Sequence, residues 1–269
     1  MSSNTQEAYM SFWEHLEALR WHIIRSVIVI LGLSLLAFVS KEFVMHTLVL
    51  GPSRPDFWTY QMLHKLSIML DAPNLCIGQH PLTFQSRQLA GQFTMHLAIS
   101  LGLGFIGAFP YVIWELWRFV SPAIQLPKRR VIYTTCLVSL LFLLGILFGY
   151  FIITPLVIQF LASYQLDSEI TNFFDVTSYI STLLTLVLAC ALVFQLPMVV
   201  YFLAKVGIVT SQLMRTYRRQ AIVIILTLSA VITPPDVMSQ VLLAIPLILL
   251  YEFSIFIAQL AAHERQQSR

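Results

Sequence analysis

Apolar residues along this chain gather into six stretches, approximately 22–43, 92–120, 131–153, 178–203, 220–232 and 237–260, separated by charge, proline and glycine. Crossing the hydrocarbon of a bilayer takes about 20 mostly apolar helical residues. Five stretches meet that length. The fifth in order does not: 221–232 gives roughly 18 Å of helix at 1.5 Å per residue, too short to cross upright. Thr233-Pro234-Pro235-Asp236 then forces a turn, because two adjacent prolines remove donors and fix φ. The last two helices are therefore expected to form a short hairpin, with Asp236 capping the sixth. The pattern predicts an all-α membrane protein of six transmembrane helices, folded as a single polytopic domain over 1–269.

The intervening segments have their own patterns. Tyr9, Phe12, Trp13, Leu16 and Leu19 recur at helical spacing, so 1–21 is expected to form an amphipathic helix at the membrane surface, with Glu14, Glu17 and Ala18 on its other face. A long loop, 44–91, opens on Gly51-Pro52-Ser53-Arg54-Pro55 and is polar and aromatic enough for short surface helices. A second loop is expected over 154–177. Pro110, Pro155, Pro197 and Pro246 fall within or at the ends of apolar stretches, where neighbouring helices can satisfy the freed carbonyls.

Composition fits this picture, with 58% hydrophobic and only 11% charged residues. Lys and Arg divide unequally between alternate sides. One side holds Arg20, Arg25, Arg118, Lys128, Arg129, Arg130, Lys205, Arg215, Arg218, Arg219, Arg265 and Arg269; the other holds Lys41, Arg54, Lys65 and Arg87. The positive-inside rule puts both termini in the cytoplasm, which requires an even number of spans. The basic residues form no nucleic-acid footprint. Cys76, Cys136 and Cys190 are far apart and imply neither a metal site nor a disulfide framework. Glu7, Glu14 and Glu17 precede the first apolar stretch and no small-residue cleavage site follows it, so that stretch is expected to be retained.

Polar residues in or beside the spans are few. His96, Gln159, Gln195, Asp236, Gln240, Glu252 and Gln259 are each costly in hydrocarbon and are expected to face another helix or a wet cavity. For the glutamines, interhelical hydrogen bonding suffices. Trp114, Trp117 and Arg118 read as interfacial anchors, and Glu115 can pair with Arg118 at i, i+3, although a carboxylate seldom faces lipid without a role. Intramembrane hydrolysis would need a nucleophile and base on facing spans, and His96 stands alone; no phosphate-cradling glycine loop exists either. No catalytic residue, metal or cofactor is expected.

Phe12-Trp13-Glu14-His15-Leu16-Glu17-Ala18-Leu19-Arg20 resembles the His-Leu-x-Glu-Leu-Arg signature before the first span of TatC proteins, the multi-spanning subunit of the twin-arginine protein translocase. Residues 109–124 resemble that family's Pro, Tyr-Gln-x-Trp-x-Phe, Pro-Ala/Gly-Leu segment. Gly145 to Pro155 is similar to its Gly-x-x-Phe-x-Tyr…Pro pattern, and Phe194-Gln195-Leu196-Pro197 to its Phe-Glu-x-Pro. The most specific likeness is Thr233-Pro234-Pro235-Asp236-Val237-x-Ser239-Gln240 with Leu243-Ala244-Ile245-Pro246 and Tyr251-Glu252. The resemblance implies a non-enzymatic receptor of the bacterial inner membrane that captures twin-arginine signal peptides of folded cargo. It also implies assembly with single-span TatA/TatB-type subunits, homo- or hetero-oligomers and use of the proton-motive force.

Carried over, the signal-binding residues are Glu14, Glu17, Arg20, Phe119 and Lys128; the partner contacts are Gln195, Thr233, Asp236, Gln240 and Glu252; the structural prolines are Pro52, Pro122, Pro155, Pro197, Pro234 and Pro235. The chain departs from the family where arginine-binding carboxylates are implied, carrying Ala18 and Lys128, and Gln195 replaces an intramembrane Glu. Two readings stay open. Glu14 or Glu17 supplies a displaced carboxylate, or the chain is a divergent scaffold with altered or lost twin-arginine recognition.

Overall fold

The computed structural model describes residues 12–69, 82–124, 128–164, 167, 172–233 and 237–267. Their secondary structure is almost entirely helical. Helix α1 (Phe12–Val39) is followed by a short α2 (Lys41–Phe43), a π-helical turn (Val44–Val49) and a 3-10 turn (Gly51–Ser53). Then come α3 (Trp58–Met69), strand β1 (Phe84–Gln85), α4 (Gly91–Ile124) and α5 (Lys128–Phe148). A second π-helical turn (Gly149–Ile153) leads into α6 (Thr154–Ser163), β2 (Phe174–Asp175), α7 (Val176–Val193), α8 (Leu196–Val206), α9 (Ser211–Thr216), α10 (Arg218–Ile232) and α11 (Val237–Gln267). Among the described residues five stretches are long and apolar enough to cross a membrane: Leu19–Val39, Gly91–Phe119, Val131–Ser163, Val176–Val206 and Ser239–Leu260. The short apolar run is α10, whose 15 residues reach about 22 Å.

Several boundaries differ from those the pattern predicts. No break separates a surface helix from the first span; α1 runs through Arg20-Trp21-His22, where no glycine or proline interrupts it. It stops at Val39 rather than at residue 43, because Ser40 leaves helical geometry (φ −84°, ψ 38°). Helix α4 continues past Val120 to Ile124 through Pro122, since a proline removes one donor and need not end a helix. Residues 154–163, expected in a loop, are helix α6. Pro155 is tolerated there because it stands in the first turn after a π-helical turn, where its missing N–H displaces no regular bond. Pro197 likewise opens α8 after a turn at Phe194-Gln195, and Pro246 lies inside α11. Pro234, Pro235 and Asp236 lie outside the described residues.

Packing divides the described residues into two compact units, one within 1–39 and 100–139, the other within 40–99 and 140–269. In the first, α1 and α4 approach closely at Gly104, where an added Cβ would meet the Ser34 amide nitrogen at 2.7 Å and the Ile30 carbonyl at 2.8 Å. Ala37, Ala108 and Phe109 are buried in the same unit.

The second unit has its core where Ile153, Val157, Leu186, Cys190, Ile225, Leu243, Ala244 and Leu247 pack together. Gly145 and Gly149 let α5 and the π turn lie against Cys190 and its neighbours on α7. Helix α8 ends on Gly207 (φ 91°), with the amides of Gly207 and Ile208 both reaching the Leu203 carbonyl. The segment after α2 is fixed by hydroxyls that reach carbonyls lacking helical partners. Tyr150 donates to Leu48 at 2.8 Å and Tyr179 to Val49 at 2.7 Å. The Tyr60 hydroxyl shares its proton between the Pro52 carbonyl at 2.9 Å and that of Pro155 at 3.2 Å, and Thr59 donates to Phe151. Strands β1 and β2 pair in parallel, Phe84 opposite Phe174, and Phe84 packs edge-on against Tyr179.

Candidate functional site

Two places bring costly polar side chains together. The first lies between α1 and the later part of α4, within the first unit. Glu115 follows Tyr111 by four residues and precedes Arg118 by three, so all three project from one side of α4. Glu115 is only 2% exposed. Its Oε1 accepts a hydrogen bond from the Tyr111 hydroxyl at 2.9 Å, and its Oε2 is bonded to Nδ1 of His22 on α1. The Arg118 guanidinium stands 3.9 Å from Oε1, beyond hydrogen-bonding distance, on a side chain 59% exposed. Phe119 meets the His22 ring edge-on, with centroids 5.9 Å apart.

Of the residues expected to bind a signal peptide, Phe119 is thus brought to this cluster through His22. Glu17 and Arg20 are exposed on α1. The side chains of Glu14 and Lys128 lie outside the described residues, as does that of Pro122. The sequence singled out Glu115 and its pairing with Arg118, but not His22 or Tyr111. The Tyr111–Glu115 spacing of four was available as a signal; the His22 pairing joins positions 93 apart and left none.

The second place is the hairpin of α10 and α11. Gln240 ties the two helices by donating from Nε2 to the Leu226 carbonyl at 3.0 Å. Thr233 is buried and its hydroxyl donates back to Ser229 at 2.8 Å. Glu252 pairs with Arg218 at 2.7 Å, and both side chains are more than a third exposed. Here a cation from the start of α10 offsets a carboxylate that would otherwise be expensive at the edge of a span. Gln195 sits in the turn between α7 and α8, and its Oε1 is buried without a hydrogen-bond partner among the described residues. Pro52, Pro155 and Pro197 are buried where the chain turns or a helix begins. Among the described residues no group of His, Cys, Asp and Glu could hold a metal ion.

Large apolar residues are exposed along whole helix faces. On α11 these include Val237, Val241, Ile245, Leu249 and Phe253, at steps of four. A water-soluble monomer does not present such continuous apolar stripes, whereas lipid covers them without cost. With five stretches of spanning length, this defines a multi-pass α-helical membrane protein.

The comparisons with known proteins narrow the class. The family described as "Sec-independent protein translocase protein (TatC)" matches residues 14–246. A relative of that name from Blattabacterium sp. subsp. Periplaneta americana is 36% identical over 254 residues, 93% of this chain and 95% of its own. One from Aquifex aeolicus is 35% identical over 260 residues, 96% and 98% of the two chains. A solved structure described as "Crystal Structure of Twin Arginine Translocase Receptor- TatC" superposes with TM-score 0.70 at 35% identity, over 92% of this chain and 99% of that one. A second, of the same receptor in DDM, gives TM-score 0.73 at 34% identity. The chain belongs to the TatC family.

Proposed function

We propose that this protein is the receptor and scaffold subunit of a twin-arginine translocase. It binds signal peptides of folded proteins and assembles, with single-span TatA/TatB-type subunits, a translocation complex driven by proton-motive force. The carrying observation is agreement over 92% and 91% of the chain with two solved structures of the twin-arginine translocase receptor. Six spans, both termini in the cytoplasm and a bacterial inner-membrane location complete the reading, supported by the unequal Lys and Arg distribution. Helix α10 then counts as the fifth span, in a bilayer thinned around it.

In this reading Glu14, Glu17, Arg20, Phe119 and Lys128 line the signal-receiving face. Gln195, Thr233, Asp236, Gln240 and Glu252 meet partner subunits, and the short α10, ending within the bilayer, leaves a polar end for a partner's polar residue to satisfy. A second reading, a scaffold without twin-arginine recognition, is favoured by Ala18 and Lys128 at the positions where the family places carboxylates. Crosslinking of the full chain in lipid nanodiscs to a signal peptide, in Arg-Arg and Lys-Lys forms, separates them. Preference for Arg-Arg is expected; equal crosslinking of both forms would leave only the scaffold.

A further inference from the structure

On the receptor reading, the signal's guanidinium needs a carboxylate partner, and α4 carries one. Among the described residues Glu115 is the one buried carboxylate. A carboxylate taken out of water needs a close cation or a full set of donors. Each Glu115 oxygen accepts one of the two hydrogen bonds described above, from Tyr111 and from His22, and so keeps a lone pair available. Among the described residues the guanidinium paired with it is that of Arg118, 3.9 Å from Oε1 on a side chain 59% exposed. The carboxylate is therefore oriented on both oxygens, while its guanidinium partner is distant and exposed.

We propose that Glu115 receives an arginine of the twin-arginine signal, and that Arg118 is an internal stand-in which withdraws as the peptide guanidinium arrives. Withdrawal costs little because the Arg118 side chain is already 59% exposed and at 3.9 Å makes no hydrogen bond to Glu115. The incoming group gains more. A planar guanidinium can bridge both oxygens of a carboxylate already fixed by His22 and Tyr111, whereas a lysine ammonium offers only a point charge. The site thus supplies the negative charge that the chain lacks at Ala18 and Lys128.

The two roles give opposite signs. Binding of Arg-Arg and Lys-Lys peptides to the full chain in nanodiscs is measured for the parent, Glu115→Gln and Arg118→Gln. Glu115→Gln is expected to weaken Arg-Arg binding by about tenfold or more and to bring the two peptides to similar affinity. Arg118→Gln is expected to strengthen Arg-Arg binding, since an exposed competitor is removed without disturbing the buried cluster. Parent-like discrimination in Glu115→Gln, or unchanged or weaker binding in Arg118→Gln, would overturn the proposal while the receptor reading stands. A parent chain that does not distinguish the peptides overturns both.

Discussion

Tyr60 is buried, with one hydroxyl between two proline carbonyls, and burial pushes its phenol well above the ordinary tyrosine range. It stays a neutral donor at every usable pH. Tyr60→Phe keeps the ring and removes the proton, leaving a buried carbonyl short of a partner, at a cost of about 1–3 kcal/mol. A lower unfolding midpoint with unchanged helix content, followed by circular dichroism in detergent, is the expected result. The sequence marks Tyr60 only as one aromatic in a loop, because its acceptors include Pro155, 95 positions away. Glu252 was legible as a carboxylate needing a reason for its place; its reason, Arg218, is 34 positions away on another helix. Residue types that are costly in lipid are visible from local context, whereas the groups that offset them come from elements whose approach no local pattern encodes.

At the scale of elements, the close passage of α1 past α4 depends on the absence of a side chain at Gly104. Both nearest backbone atoms belong to α1, at Ser34 and Ile30, so no rotamer change relieves an added methyl. Gly104→Ala is expected to force the helices apart at a cost of about 1–3 kcal/mol, read as a lower melting temperature of the purified chain. A change at Gly107, where an added Cβ meets only the end of the Leu33 side chain at 3.3 Å, is the milder control. The apolar runs announced all the long helices, since hydrocarbon demands unbroken apolarity. Their ends were less legible at Pro122 and Pro155, where helix continues through residues that ordinarily suggest a stop. At Pro155 the preceding π-helical turn accommodates the missing donor, which the local apolar pattern does not reveal.

For the whole molecule, the charge distribution makes orientation testable. With native Cys76, Cys136 and Cys190 replaced by alanine, single cysteines at Ser86 and Thr216, both exposed, report opposite sides. An impermeant maleimide is expected to label position 86 in intact cells and position 216 only after the membrane is opened; the reverse pattern would invert the topology. Membership of the family was legible because its motifs are spread along the chain, over most of residues 14–246. The buried cluster around Glu115 was only half legible, since one of its two hydrogen-bonding partners comes from the first helix. The π-helical turn Gly149–Ile153 carries a consequence for chain length. Such a turn holds one residue more than regular α geometry needs. Losing that residue would leave a continuous helix but rotate everything beyond it by about 100°. The Pro155 carbonyl would then swing away from Tyr60, so the apparent surplus residue sets the angular phase of α6.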